Sequence, residues 1–328
     1  MKERVLITGA SGFVGFHLIE AALQKGLEVY AAVRPSSQVE HLKHLPIHYT
    51  TLDFSNRNAL EANLHENKYS YIIHAAGAIK AADYAEYVKV NAEYTRNLAH
   101  AAQESAIGLK KFVFISSLAS MGPSGTGKPI TEQDQANPLT SYGKSKLVAE
   151  TYLSELKDLP LISLRPTAVY GPRERDIFIM INVINKGFEP YIGRIPQKLS
   201  FIYVKDLASV SIQALNSAVN NKSYIVADGL SYDRYQLGEI VKTILKKNTI
   251  KLHLPLVVAK AIAVLQEGAG SISGKSPILS REKLAELIAL DWSCNIEPLR
   301  NDLGFEPKYT LETGMAETLQ WYKENKWL

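Results

Sequence analysis

The chain has 328 residues, of which 46% are hydrophobic and 21% charged, an ordinary balance for a globular protein with room for a substantial core. The net charge is only +4, no basic run is long enough to suggest nucleic acid, and the single cysteine, Cys294, excludes an intrachain disulfide and fits a reducing compartment. The longest apolar stretch, LPLVVAKAIAVL at 254–265, is too short to span a bilayer and contains Pro255 and Lys260. It reads as a buried or interfacial helix, and with no signal-peptide pattern at the N-terminus the expected location is the cytoplasm.

Taken in chain order, RVLITG is a short apolar run closed by glycine, FVGFHLIEAALQKG has helical periodicity, and EVYAAVR is again strand-like. The alternation continues. IHYTTLD is a strand, NRNALEANLHE a helix, YSYIIHAAG a strand and YAEYVKVNAEYTRNLAHAAQES one long helix. KKFVFISS is a strand, the segment around Tyr142 a helix, and PLISLRPTAVYG another strand. Helices between nearly all successive strands predict a parallel sheet covered on both faces, a doubly wound α/β (Rossmann) fold. After Gly171 the regularity weakens. GPRERDIFIMINVINKG reads as a helix, LSFIYVKDLASVSIQALNSA as strand then helix, and SYIVADG as a strand. The tail is broken by LHLP, GSISGKSP and GFEPKYT. The expected organisation is a dinucleotide domain at 1–171, returning at about 201–226, and a smaller, mainly α substrate-binding lobe from 172–200 and 227–328. Ligands should bind in the cleft between lobes, at the carboxyl ends of the strands.

TGASGFVG carries Gly9, Gly12 and Gly15 between a strand and a helix. Glycine there permits the tight turn and lets a pyrophosphate approach the backbone, while the helix N-terminus offers unpaired N–H groups to the anion. Past the second strand, AAVRPSS has Arg34 where NAD-preferring proteins usually carry an acidic residue; its charge and forked donors suit a ribose 2′-phosphate. NADP(H) is therefore favoured, with NAD(H) as the other option. Asp53, closing the third strand, reads equally as an acceptor for an adenine amino group or as a turn or cap residue. Ser116 and Ser117 end FVFISS, and such hydroxyls bind a substrate carbonyl or cap the next segment. In TSYGKSK, Tyr142 and Lys146 have i,i+4 spacing and share a helix face. A phenol titrates near ~10 and a close cation lowers that value, so the pair reads as a tuned proton donor, or as a tyrosine beside a surface lysine. His74 reads as a satisfied core histidine, Arg165 as a buried, paired charge. No HExxH or His/Cys cluster calls for a metal.

TGASGFVG, IIHAAG, FVFISS, SYGKSK, RPTAVYGPRERD and FIYVKDLA, in that order, resemble the extended short-chain dehydrogenase/reductase superfamily, its NAD(P)-dependent epimerase/dehydratase group. The likeness runs from residue 4 to about 210, and LRNDLGFEPKYTLETGMAETLQWYKEN resembles the group's usual C-terminus. The resemblance implies Tyr142 as general acid/base, Lys146 lowering its pKa and holding the nicotinamide ribose, and Ser117 hydrogen-bonding the reacting oxygen. It implies backbone donors to pyrophosphate at Phe13 and Val14, and an adenine site at Asp53 and Phe54. Ala75, Ala76 and Gly77 would lie along the cofactor with Asn91 nearby, Ser116 would be a structural or cofactor-side neighbour, and Pro166 would stand beside the nicotinamide.

The implied activity is hydride transfer interconverting a carbonyl and a secondary alcohol. Nucleotide-sugar enzymes of the group usually carry an arginine where KLSFIYV has Leu199, and often an asparagine where RPTAVYG has Ala168. The pattern is closer to 3β-hydroxysteroid dehydrogenase and dihydroflavonol reductase relatives, which take hydrophobic ketones or alcohols. A nucleotide-sugar epimerase or dehydratase with tightly bound NAD is the alternative, and a non-catalytic NAD(P)-binding sensor a further one. Relatives often pair through helices equivalent to 84–105 and 141–157, so a homodimer is expected.

Overall fold

In the computed structural model, which describes residues 2–125, 127–273 and 279–328, the predicted alternation resolves into a seven-stranded parallel sheet. Its strands are β1 (Arg4–Thr8), β2 (Glu28–Ala32), β3 (His48–Thr50), β4 (Tyr71–His74), β5 (Lys111–Ile115) and β6 (Leu161–Pro166). Four short strands outside the sheet follow: β7 (Ala168–Tyr170), β8 (Phe188–Ile192), β9 (Lys198–Leu199) and β10 (Phe201–Tyr203). The seventh sheet strand is β11 (Lys222–Val226), and β12 (Tyr232–Asp233) and β13 (Ile250–Leu254) lie beyond it. The sheet order is β11-β6-β5-β4-β1-β2-β3, so the order in which strands are added switches sides between β1 and β4. That switch opens a crevice at the strands' carboxyl ends. The central strands are apolar throughout, β5 with all five residues buried, because helices cover both faces.

The helices are α1 (Phe13–Gln24), α2 (Arg57–Asn67), α3 (Tyr84–Val88), α4 (Tyr94–Glu104), α5 (Ser141–Ser154), α6 (Asp176–Asn185), α7 (Val204–Leu215), α8 (Gln236–Leu245), α9 (Leu256–Ser273), α10 (Arg281–Ile288), α11 (Glu297–Leu303) and α12 (Leu311–Glu324). Phe16, Leu18 and Ile19 of α1 and Leu207 and Val210 of α7 fill one face of the sheet. Leu60 of α2, Leu98 of α4 and Leu153 of α5 fill the other. Ile181, Val241 and Met315, from α6, α8 and α12, share a separate core with Tyr170 and Tyr203. Leu299 of α11 and the following Phe305 return to the sheet core.

Two segments differ from the sequence expectation. The long helix at 84–105 is interrupted by a π-helical turn at Lys89–Glu93, which separates α3 from α4 and carries Asn91. PLISLRPTAVYG splits in two: Pro166 has no N–H to extend the ladder, Thr167 N–H donates to Val226 O at 3.0 Å, and β7 pairs with β10 instead. The 254–265 stretch lies mostly in α9, which buries Ala259 and Ala263 while Val257 and Leu265 are 79% and 72% exposed. Part of the break predicted at GSISGKSP lies outside the described residues. No helix among the described residues is long and apolar enough to cross a membrane.

Candidate active site

The crevice is built from backbone first. Gly9 has φ +68°, and a Cβ there would lie 2.7 Å from Ala75 O; a Cβ on Gly15 would lie 2.1 Å from Gly9 O. The loop after β1 therefore passes against the strand end Ala75–Gly77 with no room for side chains. Gly12 N-caps α1 without a side-chain acceptor, which leaves the first amides of that helix, at Phe13 and Val14, without a side-chain cap. This is a cradle that fits a pyrophosphate.

A buried chain of hydrogen bonds ties the cradle to α5. Thr95 Oγ1 donates to Asn91 O at 2.8 Å and therefore accepts from His74 Nε2 at 2.9 Å. His74 Nδ1 then accepts from Thr8 Oγ1 at 2.7 Å, and Thr8 Oγ1 accepts from Ala76 N–H at 3.0 Å. Burial, with a smaller contribution from the Lys146 charge, pushes the imidazole down to about 3, so it stays neutral. His74 is thus a structural relay. Asn91 Oδ1 accepts from Ala78 N–H at 2.7 Å, and its amide donates to Ala78 O and to Ser145 Oγ at 3.0 and 2.9 Å. The π turn aims this one side chain at both the strand-end loop and α5.

On α5, Thr140 caps the helix through Gly143 N–H at 3.0 Å. Gly143 lets the helix sit on the turn after β5, since a Cβ there would lie 2.3 Å from Ala119 O. That approach brings Ser117 beside the Tyr142 phenol. Lys146 Nζ donates to Ile115 O at 2.9 Å, lies over the Phe114 ring, and sits 3.5 Å from where a Cβ on Gly77 would be. Ser117, Tyr142 and Lys146 therefore converge beside the Ala75–Gly77 strand end.

Their electrostatics differ from the expectation that Lys146 lowers the Tyr142 pKa. Burial pushes the phenol up to about 12, against the opposing influence of Ser117 and with Glu286 and Tyr87 adding to the rise. Lys146 is itself pushed down to about 8 by burial, partly offset by Glu150. Its ammonium is engaged with the Ile115 carbonyl, and desolvation outweighs any help it gives the phenolate.

The remaining predicted residues divide between crevice and interior. The Ser116 hydroxyl donates to Glu150 inside the protein, beside Ser120 Oγ at 3.0 Å and Arg165, whose Nε and Nη2 reach the same carboxylate at 3.0 and 2.5 Å. Arg165 is the buried, paired charge expected of it. Pro166 is buried at the end of β6, opposite Val226. At the far end, Arg34 is exposed in a turn where its N–H donates to Ser37 Oγ, and its guanidinium has no ion pair among the described residues. Asp53 Oδ1 accepts from Ser55 N–H and Oγ at 3.0 and 2.6 Å, which lowers its pKa. Phe54 stacks on Tyr94, with ring centroids 6.0 Å apart.

Several contributors were not singled out from the sequence. Glu150 stands four residues after Lys146, a spacing the motif itself displayed. Thr8, Thr95 and Glu282 left no local signal. Glu282, in the first turn of α10, accepts from Ser141 N–H and Oγ at 2.8 and 2.7 Å, binding the tail to the start of the Tyr142 helix.

The chain is 29% identical to a UDP-glucose 4-epimerase of Vibrio cholerae, over 98% of this chain and 95% of that protein. It is 28% identical to a 3-beta-hydroxysteroid dehydrogenase of Mycolicibacterium neoaurum, over 98% and 92%. The fold is shared with the UDP-glucose 4-epimerase of Thermotoga maritima solved with UDP-glucose, at TM-score 0.80 and 20% identity over 98% and 99% of the two chains. The family model for the NAD dependent epimerase/dehydratase family matches residues 5–227, and with the glycine cradle, the switch-point crevice and the Ser–Tyr–Lys cluster already described, the chain belongs to that family of enzymes.

Proposed function

We propose that the protein is an oxidoreductase interconverting a carbonyl and a secondary alcohol, with NADP(H) as the preferred dinucleotide and a hydrophobic ketone or alcohol as substrate. The observation that carries this reading is the placement of Tyr142 beside Ser117, with Lys146 next to the Gly77 strand end. The reduced nicotinamide, when bound, supplies the hydride to the carbonyl carbon. The protein's part is to hold the carbonyl oxygen between the Ser117 and Tyr142 hydroxyls and to pass it the Tyr142 proton as the alcohol forms. Lys146 positions the ribose from the floor of the crevice, and Gly9 to Gly15 with the amides of Phe13 and Val14 receive the pyrophosphate.

Arg34, exposed and unpaired past β2, supports the 2′-phosphate preference. Asp53 and Phe54 are proposed for the adenine end. Leu199, where nucleotide-sugar enzymes usually carry an arginine, supports the hydrophobic substrate, because a diphosphate would lack a charge-assisted partner there. The likeness to UDP-glucose 4-epimerases supports the second reading, epimerisation with retained NAD. The lone cysteine fits a cytoplasmic setting, and pairing through α3–α4 and α5 is the proposed homodimer.

The test mixes the purified protein with NADPH or NADH and a panel of ketones, aldehydes and UDP-glucose, following absorbance of the reduced nicotinamide. Oxidation with hydrophobic ketones supports the proposal. Conversion of UDP-glucose without net oxidation selects the epimerase reading, and binding without turnover of anything makes the chain a sensor.

A further inference from the structure

The outer face of α9 is made of the wrong residues for water. Val257, Val258, Val264 and Leu265 are 79, 43, 54 and 72% exposed, and with Ala261 they follow the i, i+1, i+4, i+7, i+8 spacing of one helical stripe. The opposite stripe, Ala259 and Ala263, is fully buried. An ordinary surface helix turns charge outward; from 256 to 266 this one has only Lys260.

The strand pair beneath continues the pattern. β8 and β13 are parallel, with Phe188 opposite Ile250 and Leu254 opposite Ile192. Alternation sets Phe188 and Ile192 on one face with Ile250, Leu252 and Leu254. Ile192 and Leu254 pack under α9, whereas Phe188, Ile250 and Leu252 remain 45, 62 and 48% exposed beside it.

The charge between Glu239 and Glu267 is entirely basic. Residues 240–266 contain Lys242, Lys246, Lys247, Lys251 and Lys260 and no aspartate or glutamate. Lys242 and Lys251 pair with Glu239, and Lys251 alternates to the other face of β13, so the basic groups left for this surface are Lys246, Lys247 and Lys260, which have no ion pair among the described residues.

We propose that this face is a peripheral membrane-binding surface that seats on an anionic phospholipid bilayer. The apolar stripe enters the headgroup–acyl boundary and Lys246, Lys247 and Lys260 contact the headgroup phosphates. A second copy of the chain fits less well, since a two-fold contact through this face would bring the same lysines against one another. The inference goes beyond the redox reading and does not need it. α9 packs on Leu284 of α10, the helix whose Glu282 holds Ser141, so a bilayer on this face would lie next to the lobe that flanks Tyr142.

The test is co-sedimentation of the full chain with vesicles of phosphatidylcholine alone or mixed with phosphatidylglycerol, with dinucleotide affinity measured in parallel. Anionic vesicles should bind about tenfold more tightly than neutral ones, and high salt should weaken that binding. Val257→Glu/Leu265→Glu and, separately, Lys246→Glu/Lys247→Glu should each lower binding by about tenfold or more while dinucleotide affinity and the melting curve stay unchanged. No sedimentation with either vesicle, or equal sedimentation with both, overturns the proposal. So does a dimer that Val257→Glu/Leu265→Glu converts to monomer, which would give the face to a second copy. Failure of the redox reading would show instead as lost turnover with vesicle binding intact.

Discussion

Tyr142 is held by burial in its neutral form, so it is poised as a proton donor, and Ser117 beside it favours its ionised state. Removing the proton while keeping the ring should cost turnover only. Tyr142→Phe should lower kcat by at least ~100-fold, the low end for a general acid, and leave dinucleotide Kd within about twofold, as read by absorbance and by fluorescence titration. Equal loss of both would make the tyrosine structural. Lys146 makes a separate, pH-dependent prediction for the cofactor-free protein. Its folded pKa, about 8, lies below the ordinary lysine value of 10.5, so between those values the unfolded chain holds more protons and stability rises with pH. Wild type should gain on the order of 2 kcal/mol relative to Lys146→Met between pH 8 and pH 10 in denaturant titrations; parallel curves would contradict the burial argument. Arg34→Asp should raise Kd for NADPH at least ~10-fold more than Kd for NADH, because a carboxylate would then face the 2′-phosphate.

At the scale of elements, the reacting groups depend on how α5 is seated. Its N-terminus is fixed from within by Thr140 and from the distant α10 by Glu282, and its underside by the absence of a side chain at Gly143. Glu282→Ala removes two charge-assisted hydrogen bonds and should lower stability by roughly 1–3 kcal/mol, with kcat falling and dinucleotide affinity preserved. Unchanged melting and turnover would show that the contact does not hold the helix. Local chemistry made the strands, the glycine turn and the Tyr–Lys pair legible in the sequence. Their signals are short-range: apolar runs, glycine after a strand, i,i+4 spacing. The π turn at Lys89–Glu93 was not legible, because its helical propensity matches its neighbours and only the pull of Asn91 toward Ala78 and Ser145 distinguishes it. The break between β6 and β7 had a visible cause in Pro166, but the new partner of β7 lies more than thirty residues on, in β10.

Across the whole molecule, the doubly wound order could be anticipated from the alternation of elements, since parallel strands need covering helices on both faces. The long-range closures could not. Nothing near Glu282 announces Ser141, and nothing near Phe305 announces the core under α1 and α7; both depend on how the tail folds back on a finished sheet. The pKa order inside the crevice was likewise hidden, because two residues four apart predict proximity while the surrounding burial decides the sign of the shift. All of these features bear on one claim, that Ser117 and Tyr142 hold a carbonyl oxygen in front of a bound nicotinamide. The most direct measurement supplies NADPH deuterated at the transferring position, together with a hydrophobic ketone, and looks for the label by mass spectrometry. The account predicts deuterium on the carbinol carbon of the product with wild-type protein and none with Tyr142→Phe. Tight binding of the dinucleotide with no label passed to any carbonyl compound would contradict it.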